Sequence, residues 1–378
     1  MNAEQIIKII PDHILDQIAL ETGADNFVKK LKGKIVFKLF IYTILSCKVV
    51  SLRILEAIFV SQKFCYLFNN EDKRRIKHSE IAARLANIDY HYFERIFNYL
   101  INAKKLNQIF FAKVKINIRK IDSTMISLSS KLLKFGVENN RNRNVKYSVE
   151  INQGIPVNIL FFKDKQYASE DIALPELLKA KSLKKSLNIF IFDRGIRKRA
   201  TLVELSKSKT YFISRLNSQK YLIESELTLT ETATPTLNIT SDQIIKFKNS
   251  DELIDQNFRL ITGEVDNKKM QFITNVDFLE AAEITDLYKS RWEIETFFKF
   301  IKQELNFSHL ISRNENGIKS VMYLTMITAI LLTIYKKKSG KIISWAVAKI
   351  KFLDELESKI MHQWHDEISQ SFKPPNLR

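Results

Sequence analysis

The chain has 378 residues, with 60 Lys and Arg against 42 Asp and Glu, a formal net charge of +18 and a sequence pI near 9.6. A chain of this length can bury a large core and has room for two or three domains. The positive surplus favours a polyanionic partner, nucleic acid before membrane, although a proteome generally rich in Lys, Ile and Asn would give the same balance. Cys47 and Cys65 form no CxxC pair and have no His in ligand spacing. This argues against a structural zinc site and fits a reducing cytosol.

Residues 1–110 have the apolar spacing of helices. The N-terminal stretch carries acidic as well as apolar residues, so it does not match a signal peptide. Asn26–Leu52 repeats apolar residues every three or four positions, and Ser51 predicts the N-cap of the helix that follows. Lys73–Tyr99 begins with a basic cluster and continues as a short helix with Ser79 as its predicted N-cap. This order resembles the entry to a helix-turn-helix motif, although many small helical domains share it.

The period of the apolar residues changes to two after Val114. The segment VKINIRKIDSTMISL alternates apolar and polar residues over its first half, which predicts a strand. A second strand is predicted around Tyr147–Ile151, a turn at Asn152–Gly154, and a third strand at Ile155–Phe162. The sequence therefore predicts a meander of adjacent strands.

Two aspartates lie in or directly after the predicted strands. Asp171–Leu183 predicts a helix, and Leu187–Phe192 is a continuous apolar run, as expected of a strand buried on both faces. Asp122 lies within the first strand, and Asp193 directly follows the apolar run. The ends of strands in an open α/β sheet are where ligands bind, although a carboxylate after a strand can also be a helix cap.

A β-rich region separates Asp193 from the last helices. Lys209–Asn217 predicts a sheet strand, and the Thr-rich stretches Leu227–Thr240 and Asn257–Thr274 predict more strands. These stretches predict a β-rich region at about residues 215–270. Its role as a lid or as a surface that contacts DNA is left open.

The segment Asp286–Leu305 contains no Pro and no Gly and predicts one helix. At 100° per residue, four of its polar positions fall within an arc of about 60°. These positions are Tyr288, Arg291, Glu295 and Lys302. An apolar stripe runs beside them, formed by Leu287, Ile294, Phe298, Ile301 and Leu305. Mixed charge is also common on solvated helix faces, but that does not explain why the polar set lies on one line beside the stripe.

Two further helices are predicted at about 316–337 and 341–364. The apolar run Val321–Ile334 is too short to span a bilayer and contains three Thr, so it is interpreted as a buried core helix.

The spacing Tyr-x2-Arg-x3-Glu-x6-Lys in the segment Asp286–Leu305 resembles the signature around the catalytic Glu of bacterial insertion-sequence transposases of the IS-four family. That family belongs to the DDE, ribonuclease H-like superfamily. Asp122, followed by Ser, and Asp193, in the context Asp-Arg-Gly, match the contexts of the family's two aspartates. The resemblance covers roughly residues 114–335.

The resemblance implies a fold and a set of site residues. The fold is an α/β ribonuclease H-like catalytic core at 111–340, in which the β-rich region at about 215–270 is an insertion between the second Asp and the Glu. An all-α DNA-binding domain at 1–110 precedes it, and a C-terminal helix and tail at 341–378 follow. Catalysis and metal binding fall to Asp122, Asp193 and Glu295, because oxygen ligands from three carboxylates suit two Mg²⁺ ions, which Mn²⁺ could replace. The expected DNA contacts are Tyr288, Arg291 and Lys302.

The implied function is a DNA transposase that cleaves and joins the ends of an insertion sequence. Its partner would be double-stranded DNA, both the terminal inverted repeats and the target, with a homodimer formed on DNA, no membrane, and a place in the cytoplasm at the nucleoid. Two alternatives stay open: a transposase-derived DNA-binding protein without catalysis, and a ribonuclease H-like nuclease that does not join strands.

Overall fold

The computed structural model describes residues 1–69, 75–112, 114–128, 136–139, 142–179, 187–196, 198–216, 220–229, 233–234, 237–249 and 252–371. The basic cluster predicted at the start of Lys73–Tyr99 and the end of the helix predicted at Asp171–Leu183 lie partly outside these residues.

The helices begin and end as follows. They are α1 (Ala3–Ile7), α2 (Asp12–Thr22), α3 (Gly33–Ser46), α4 (Leu52–Phe59), α5 (Gln62–Phe68), α6 (His78–Asn87), α7 (His91–Asn102), α8 (Lys104–Phe110), α9 (Glu170–Lys179), α10 (Arg199–Lys207), α11 (Ala281–Lys289), α12 (Trp292–Glu304), α13 (Glu315–Ser339) and α14 (Trp345–Ser371). The strands are β1 (Ile116–Leu128), β2 (Val137–Asn139), β3 (Asn142–Asn152), β4 (Ile155–Phe162), β5 (Leu187–Phe192), β6 (Tyr211–Arg215), β7 (Tyr221–Glu226), β8 (Ala233–Thr234), β9 (Leu237–Asn249), β10 (Glu252–Val265) and β11 (Lys268–Thr274).

The chain divides into two compact units. Unit 1 combines residues 1–112 with 299–378, and unit 2 is residues 113–298. This division differs from the predicted catalytic domain, which ran to residue 340, and from the predicted C-terminal segment 341–378. The reason is α13, which packs against α3, α6 and α7. In unit 1 the Tyr323 hydroxyl of α13 donates to Glu94 of α7 at 2.8 Å, and the Asn316 amide donates to the Ile88 carbonyl at 2.5 Å.

Helix α13 is the core of unit 1. It is long and apolar enough to cross a membrane by length and composition, but 89% of its apolar window is buried inside the protein. The buried core helix predicted from Val321–Ile334 is therefore confirmed.

Local side-chain contacts mark the starts of two helices for which the sequence predicted an N-cap. Ser51 caps α4, as predicted, and its hydroxyl accepts the N–H of Ile54 at 3.2 Å. The predicted cap at Ser79 is wrong, because α6 already begins at His78. The carboxylate of Glu80 accepts the N–H of Lys77 at 2.8 Å, so the acid three positions into the helix fixes its start.

Unit 2 is built on one large sheet. Its strand order in the described residues is β2-β3-β1-β5-β6-β11-β10-β9-β7, with β4 paired to β3 and β8 paired to β9. The neighbours β1, β5 and β6 run parallel, and the other pairs are antiparallel. The predicted hairpin turn is confirmed, with Gln153 and Gly154 at left-handed φ angles of 52° and 78°.

Each face of this sheet carries its own apolar core. On one face α9 and α10 bury Leu174, Leu177, Leu202 and Leu205 against strand residues such as Phe190 and Phe212. On the other face α11 buries Ala281, Ala282, Ile284 and Tyr288 against Ile189, Ile191, Ile213 and Phe272. Because alternate residues of a strand point to opposite faces, β5 contributes to both cores, as its continuous apolar sequence predicted.

The segment predicted as a β-rich insertion is β-rich, but it does not form a separate layer. Its last strand, β11, pairs antiparallel with β6, with Thr274 opposite Ile213 and Phe272 opposite Arg215. Strands β9 to β11 therefore extend the same sheet that carries Asp122 and Asp193.

Candidate active site

Asp122 lies in β1, which is hydrogen-bonded to β3 on one side and to β5 on the other. Its Oδ1 accepts the backbone N–H of Ser123 at 2.8 Å. Burial raises the pKa of Asp122 from 3.8 to about 6, while the Ser123 N–H and Arg291 oppose the rise and Glu170 and Asp193 add to it. A carboxyl group in these surroundings is one that a cation would stabilise in its charged form.

Asp193 stands level with Asp122 at the carboxyl end of the neighbouring parallel strand. The register pairs Lys120 with Ile191, and each aspartate follows two residues later. The Tyr288 hydroxyl of α11 donates to Asp193 Oδ1 at 3.2 Å. Burial, followed by the charge of Asp193, raises the pKa of Tyr288 well above its usual value, so the phenol stays protonated and donates.

The predicted continuous helix over Asp286–Leu305 is wrong, because the chain forms two helices with a turn at Ser290 and Arg291. The Ser290 hydroxyl donates to the Leu287 carbonyl at 2.6 Å, a local bond of the kind that competes with the regular helix pattern. Arg291 N–H donates to the Tyr288 carbonyl at 2.9 Å, a three-residue rather than four-residue step. The apolar stripe is nevertheless buried at Ile294, Phe298, Ile301 and Leu305.

The side chain of Arg291 connects the acidic residues. Its Nη2 lies 2.5 Å from Glu295 Oε1, and its Nη1 lies 3.6 Å from Asp122 Oδ2. The guanidinium carbon lies 5.9 Å from the centre of the Tyr288 ring. Its Nε is buried and has no hydrogen-bond partner among the described residues. Five of the six predicted site residues are therefore connected by direct contacts through Arg291 and Tyr288.

The sixth predicted residue, Lys302, lies in the last turn of α12. That turn falls within unit 1, whereas Glu295 belongs to unit 2. Lys302 is half-buried, and its proposed DNA contact stays a prediction.

The carboxylates suit a divalent metal in type but do not form a ready-made site. Asp122, Asp193 and Glu295 supply the hard oxygen atoms that Mg²⁺ prefers. In the part of the chain that the structure describes, no group of three or more His, Cys, Asp or Glu side chains is arranged to hold a metal ion. Instead, Arg291 partly neutralises Asp122 and Glu295. Binding of two metal ions by Asp122, Asp193 and Glu295, which the resemblance implies, therefore stays a prediction.

Two buried lysines near the site were not among the predicted site residues. Lys120 Nζ lies 2.8 Å from Glu293 Oε2, and Lys146 Nζ lies 2.8 Å from Glu170 Oε1. The lysine side chains are only 6% and 3% exposed. The available signal was a charged residue within or directly before a predicted strand, because such a residue needs an ionic partner if it is buried.

A cavity of about 300 Å³ adjoins the site. Tyr288, Arg291 and the 66% exposed Trp292 line it together with apolar residues of the sheet, including Leu237 and Met270. The predicted insertion thus supplies one wall of a cavity beside the candidate catalytic residues.

Comparison with known proteins identifies the family. The profile of the family described as transposase DDE domain matches residues 115–332, more than half of the chain. The chain belongs to this family. The resemblance predicted from the Tyr-Arg-Glu-Lys spacing is thereby confirmed, and the matched segment contains Asp122, Asp193 and Glu295.

Two proteins of similar sequence are also named as transposases. The "Putative transposase for insertion sequence element IS4SA" of Synechocystis sp. is 26% identical over 226 residues, which cover 58% of this chain and 60% of that protein. The "Putative transposase y4zB" of Sinorhizobium fredii is 26% identical over 148 residues, covering 38% of this chain and 42% of that protein. The matches therefore span less than two thirds of these relatives.

A solved structure is also similar to the chain. It is the piggyBac transposase synaptic complex with hairpin DNA, with a TM-score of 0.46, 12% sequence identity, and coverage of 100% of this chain and 83% of that chain. This likeness is too distant to bear on the site.

Proposed function

We propose that the chain is a DNA transposase that cleaves the ends of an insertion sequence and joins them to target DNA by phosphoryl transfer. Asp122, Asp193 and Glu295 are the catalytic residues. The observation that carries the proposal is the connected set of contacts in which Arg291 bridges Asp122 and Glu295 while Tyr288 donates to Asp193. Three carboxylates from separate elements, gathered around cationic and phenolic groups, are suited to phosphoryl transfer.

The same three carboxylates would hold the metal. Two Mg²⁺ ions, or Mn²⁺ in their place, would stabilise the charge on the attacking and leaving oxygens of the phosphodiester. Asp122 and Glu295 already share a cation in Arg291, so their surroundings accommodate positive charge. A divalent ion bound to both would compete with the guanidinium.

Tyr288, Arg291 and Lys302 are the proposed DNA contacts. A guanidinium displaced from Asp122 and Glu295 is free to pair with a phosphate in two-point geometry. The Tyr288 hydroxyl is held protonated beside Asp193 and is therefore available as a donor. Lys302 would supply a point charge for the backbone further along α12.

A ribonuclease H-like core is the proposed fold of the catalytic unit. The supporting feature is the strand order β4-β3-β1-β5-β6, with three antiparallel neighbours followed by parallel strands and with helices on both faces. The helices within residues 1–110 are the proposed DNA-binding domain. We further propose that the protein acts as a homodimer on terminal-repeat DNA and works in the cytoplasm at the nucleoid.

The test is a combined cleavage and joining assay. Purified protein is incubated with Mg²⁺, a DNA fragment that carries the sequences flanking its reading frame, and a target plasmid. The proposal expects cleaved ends and joined products. Cleaved ends without joined products would replace the proposal with a nuclease, and binding without cleavage would replace it with a DNA-binding protein that has lost catalysis.

A further inference from the structure

The first turn of α9 contacts both the strand that carries Asp122 and the loop that carries Asp193. We propose that Glu170, in this turn, is a positioning residue that keeps the two aspartates in register. The inference rests on the function proposed above and adds a fourth carboxylate that supports the site from the opposite face of the sheet.

The contact with the first aspartate runs through Ser123. The Ser123 hydroxyl donates to Glu170 Oε2 at 3.4 Å and lies 2.7 Å from the Ser148 hydroxyl of β3. The backbone N–H of Ser123 donates to Asp122 Oδ1 at 2.8 Å. Glu170 therefore restrains the residue whose backbone orients the Asp122 carboxylate.

The connection from Glu170 to the second aspartate, Asp193, is a steric contact with Gly195 in the loop that follows it. A Cβ atom added to Gly195 would lie 2.6 Å from Glu170 Cγ, which no real contact allows. Gly195 does not have a left-handed φ, so glycine is needed for space. The next residue of α9, Asp171, accepts the N–H of Lys198 through Oδ1 at 2.8 Å. The loop after Asp193 is thus held against the first turn of α9 at two points.

A buried lysine fixes Glu170 itself. Lys146 Nζ lies 2.8 Å from Glu170 Oε1 and donates to the Ala168 carbonyl at 3.3 Å. One carboxylate oxygen of Glu170 therefore faces Lys146 and the other faces Ser123. Lys146 is almost fully buried, so loss of the Glu170 carboxylate would remove the counter-charge that Lys146 has among the described residues.

This arrangement accounts for two sequence features at once. Ser after Asp122 supplies the hydroxyl for Glu170, and Gly in Asp-Arg-Gly leaves space for the Glu170 side chain. Groups that orient metal ligands from behind typically change metal affinity about tenfold to hundredfold when they are mutated. Loss of Glu170 should therefore weaken cation binding through displacement of Asp122 and Asp193.

The experiment measures Mn²⁺ binding to the full-length, DNA-free protein by electron paramagnetic resonance. The parent should bind Mn²⁺, and Glu170→Gln should bind it about tenfold more weakly or worse, with thermal unfolding as a check on folding. Glu204→Gln, at an exposed position on α10, is the matched control and should bind as the parent does. If a folded Glu170→Gln binds Mn²⁺ as tightly as the parent, the inference is overturned.

Conservative and paired variants keep the test decisive even if Glu170→Gln fails to fold. Ser123→Ala should weaken Mn²⁺ binding, and Ser123→Thr, which keeps the hydroxyl, should restore it; equal binding by both would contradict the inference. Gly195→Ala should be harmful in the parent but less harmful in a Glu170→Ala background, because the 2.6 Å approach to Glu170 Cγ has gone and only the 3.0 Å approach to Cβ is left. Full additivity of these two changes would also contradict it. Failure of the parent to bind Mn²⁺ would instead overturn the two-metal function on which the inference rests.

Discussion

The guanidinium Nη2 of Arg291 lies 2.5 Å from Glu295 Oε1, with Arg291 in the turn between α11 and α12 and Glu295 in the first turn of α12. The same side chain approaches Asp122 at 3.6 Å. One cation therefore stabilises two of the three carboxylates proposed to hold the metal. Any divalent ion that binds both carboxylates must outcompete an internal ion pair.

The first prediction concerns this competition. Arg291→Gln should strengthen Mn²⁺ binding to the DNA-free protein, because it removes the positive charge from between Asp122 and Glu295. It should weaken cleavage of terminal-repeat DNA, because the proposed phosphate contact is lost. Calorimetric titration with Mn²⁺ measures the first effect, with the exposed Lys289→Gln as the control for loss of one positive charge. Unchanged Mn²⁺ affinity in Arg291→Gln would show that the ion pair does not oppose metal binding.

The second prediction separates catalysis from binding. Glu295→Gln keeps the size and helix propensity of the residue but removes a charged metal ligand, so cleavage and joining should be lost. Binding to terminal-repeat DNA should be retained or rise slightly, since a negative charge near phosphate has gone. A gel shift and a cleavage gel with the same DNA measure both, and Asp286→Asn, exposed on α11, serves as the control. Retained cleavage in Glu295→Gln would remove Glu295 from the active site.

The third prediction concerns the dependence of stability on pH. Burial raises the pKa of Asp122 from 3.8 to about 6, so the folded protein holds a proton that the unfolded chain has released. The free energy of unfolding contributed by this group therefore falls as the pH rises through that range. Asp122→Asn has no carboxyl group to ionise, so it avoids this fall in the free energy of unfolding, which amounts to at most about 3 kcal/mol. The lost contact with Arg291 makes the net gain smaller.

Urea unfolding of the metal-free protein at pH 8 and pH 3.5 tests this. The free energy of unfolding of Asp122→Asn, relative to that of the parent, should be higher at pH 8 than at pH 3.5. A difference between the two proteins that does not change with pH would show that Asp122 titrates normally.

The fourth prediction concerns the buried ion pair of β1 and β3. Arg119 Nε lies 2.6 Å from Glu150 Oε1, and the two side chains are only 4% and 3% exposed. Burial raises the pKa of Glu150, while Arg119 lowers it. The two atoms approach closely without hydrogen-bond geometry, so the pair itself should add little to stability. Glu150→Gln should nevertheless destabilise unit 2 by about 3–5 kcal/mol, because Arg119 would stay buried without a counter-charge.

Chemical unfolding followed by circular dichroism measures this loss. Replacing both residues, as Arg119→Met with Glu150→Leu, should cost far less than Glu150→Gln alone. A double variant that is as unstable as the single one would refute the buried-charge explanation.

The fifth prediction concerns DNA affinity. Binding of terminal-repeat DNA should weaken steeply with added salt, because Lys and Arg side chains that contact phosphates release counterions. Lys302→Ala should reduce the slope of log affinity against log salt by about 1, as expected for one lost phosphate contact. Fluorescence anisotropy at several salt concentrations gives the slope. An unchanged slope would remove Lys302 from the DNA interface.

Much of the sheet and site could be predicted because the relevant patterns are local. Alternation around Asp122 and the apolar run before Asp193 depend only on which residues face a core, and the parallel register then brings the aspartates level. The break at Ser290 could not be predicted, because the segment Asp286–Leu305 contains no Pro or Gly to mark it. The assignment of α13 to unit 1 could not be predicted either. A helix that is apolar on all sides has no polar face to indicate which elements pack against it.

The two-segment construction of unit 1 has a consequence for how the protein is made. Tyr323 and Asn316 of α13 complete contacts with Glu94 and Ile88, yet all of unit 2 is synthesised in between. The apolar faces of the helices within residues 1–112 that pack on α13 therefore stay uncovered until α13 has been translated. Unit 2, which is continuous in sequence, can fold first. A fragment ending at residue 112 should accordingly depend on chaperones or aggregate when it is expressed alone.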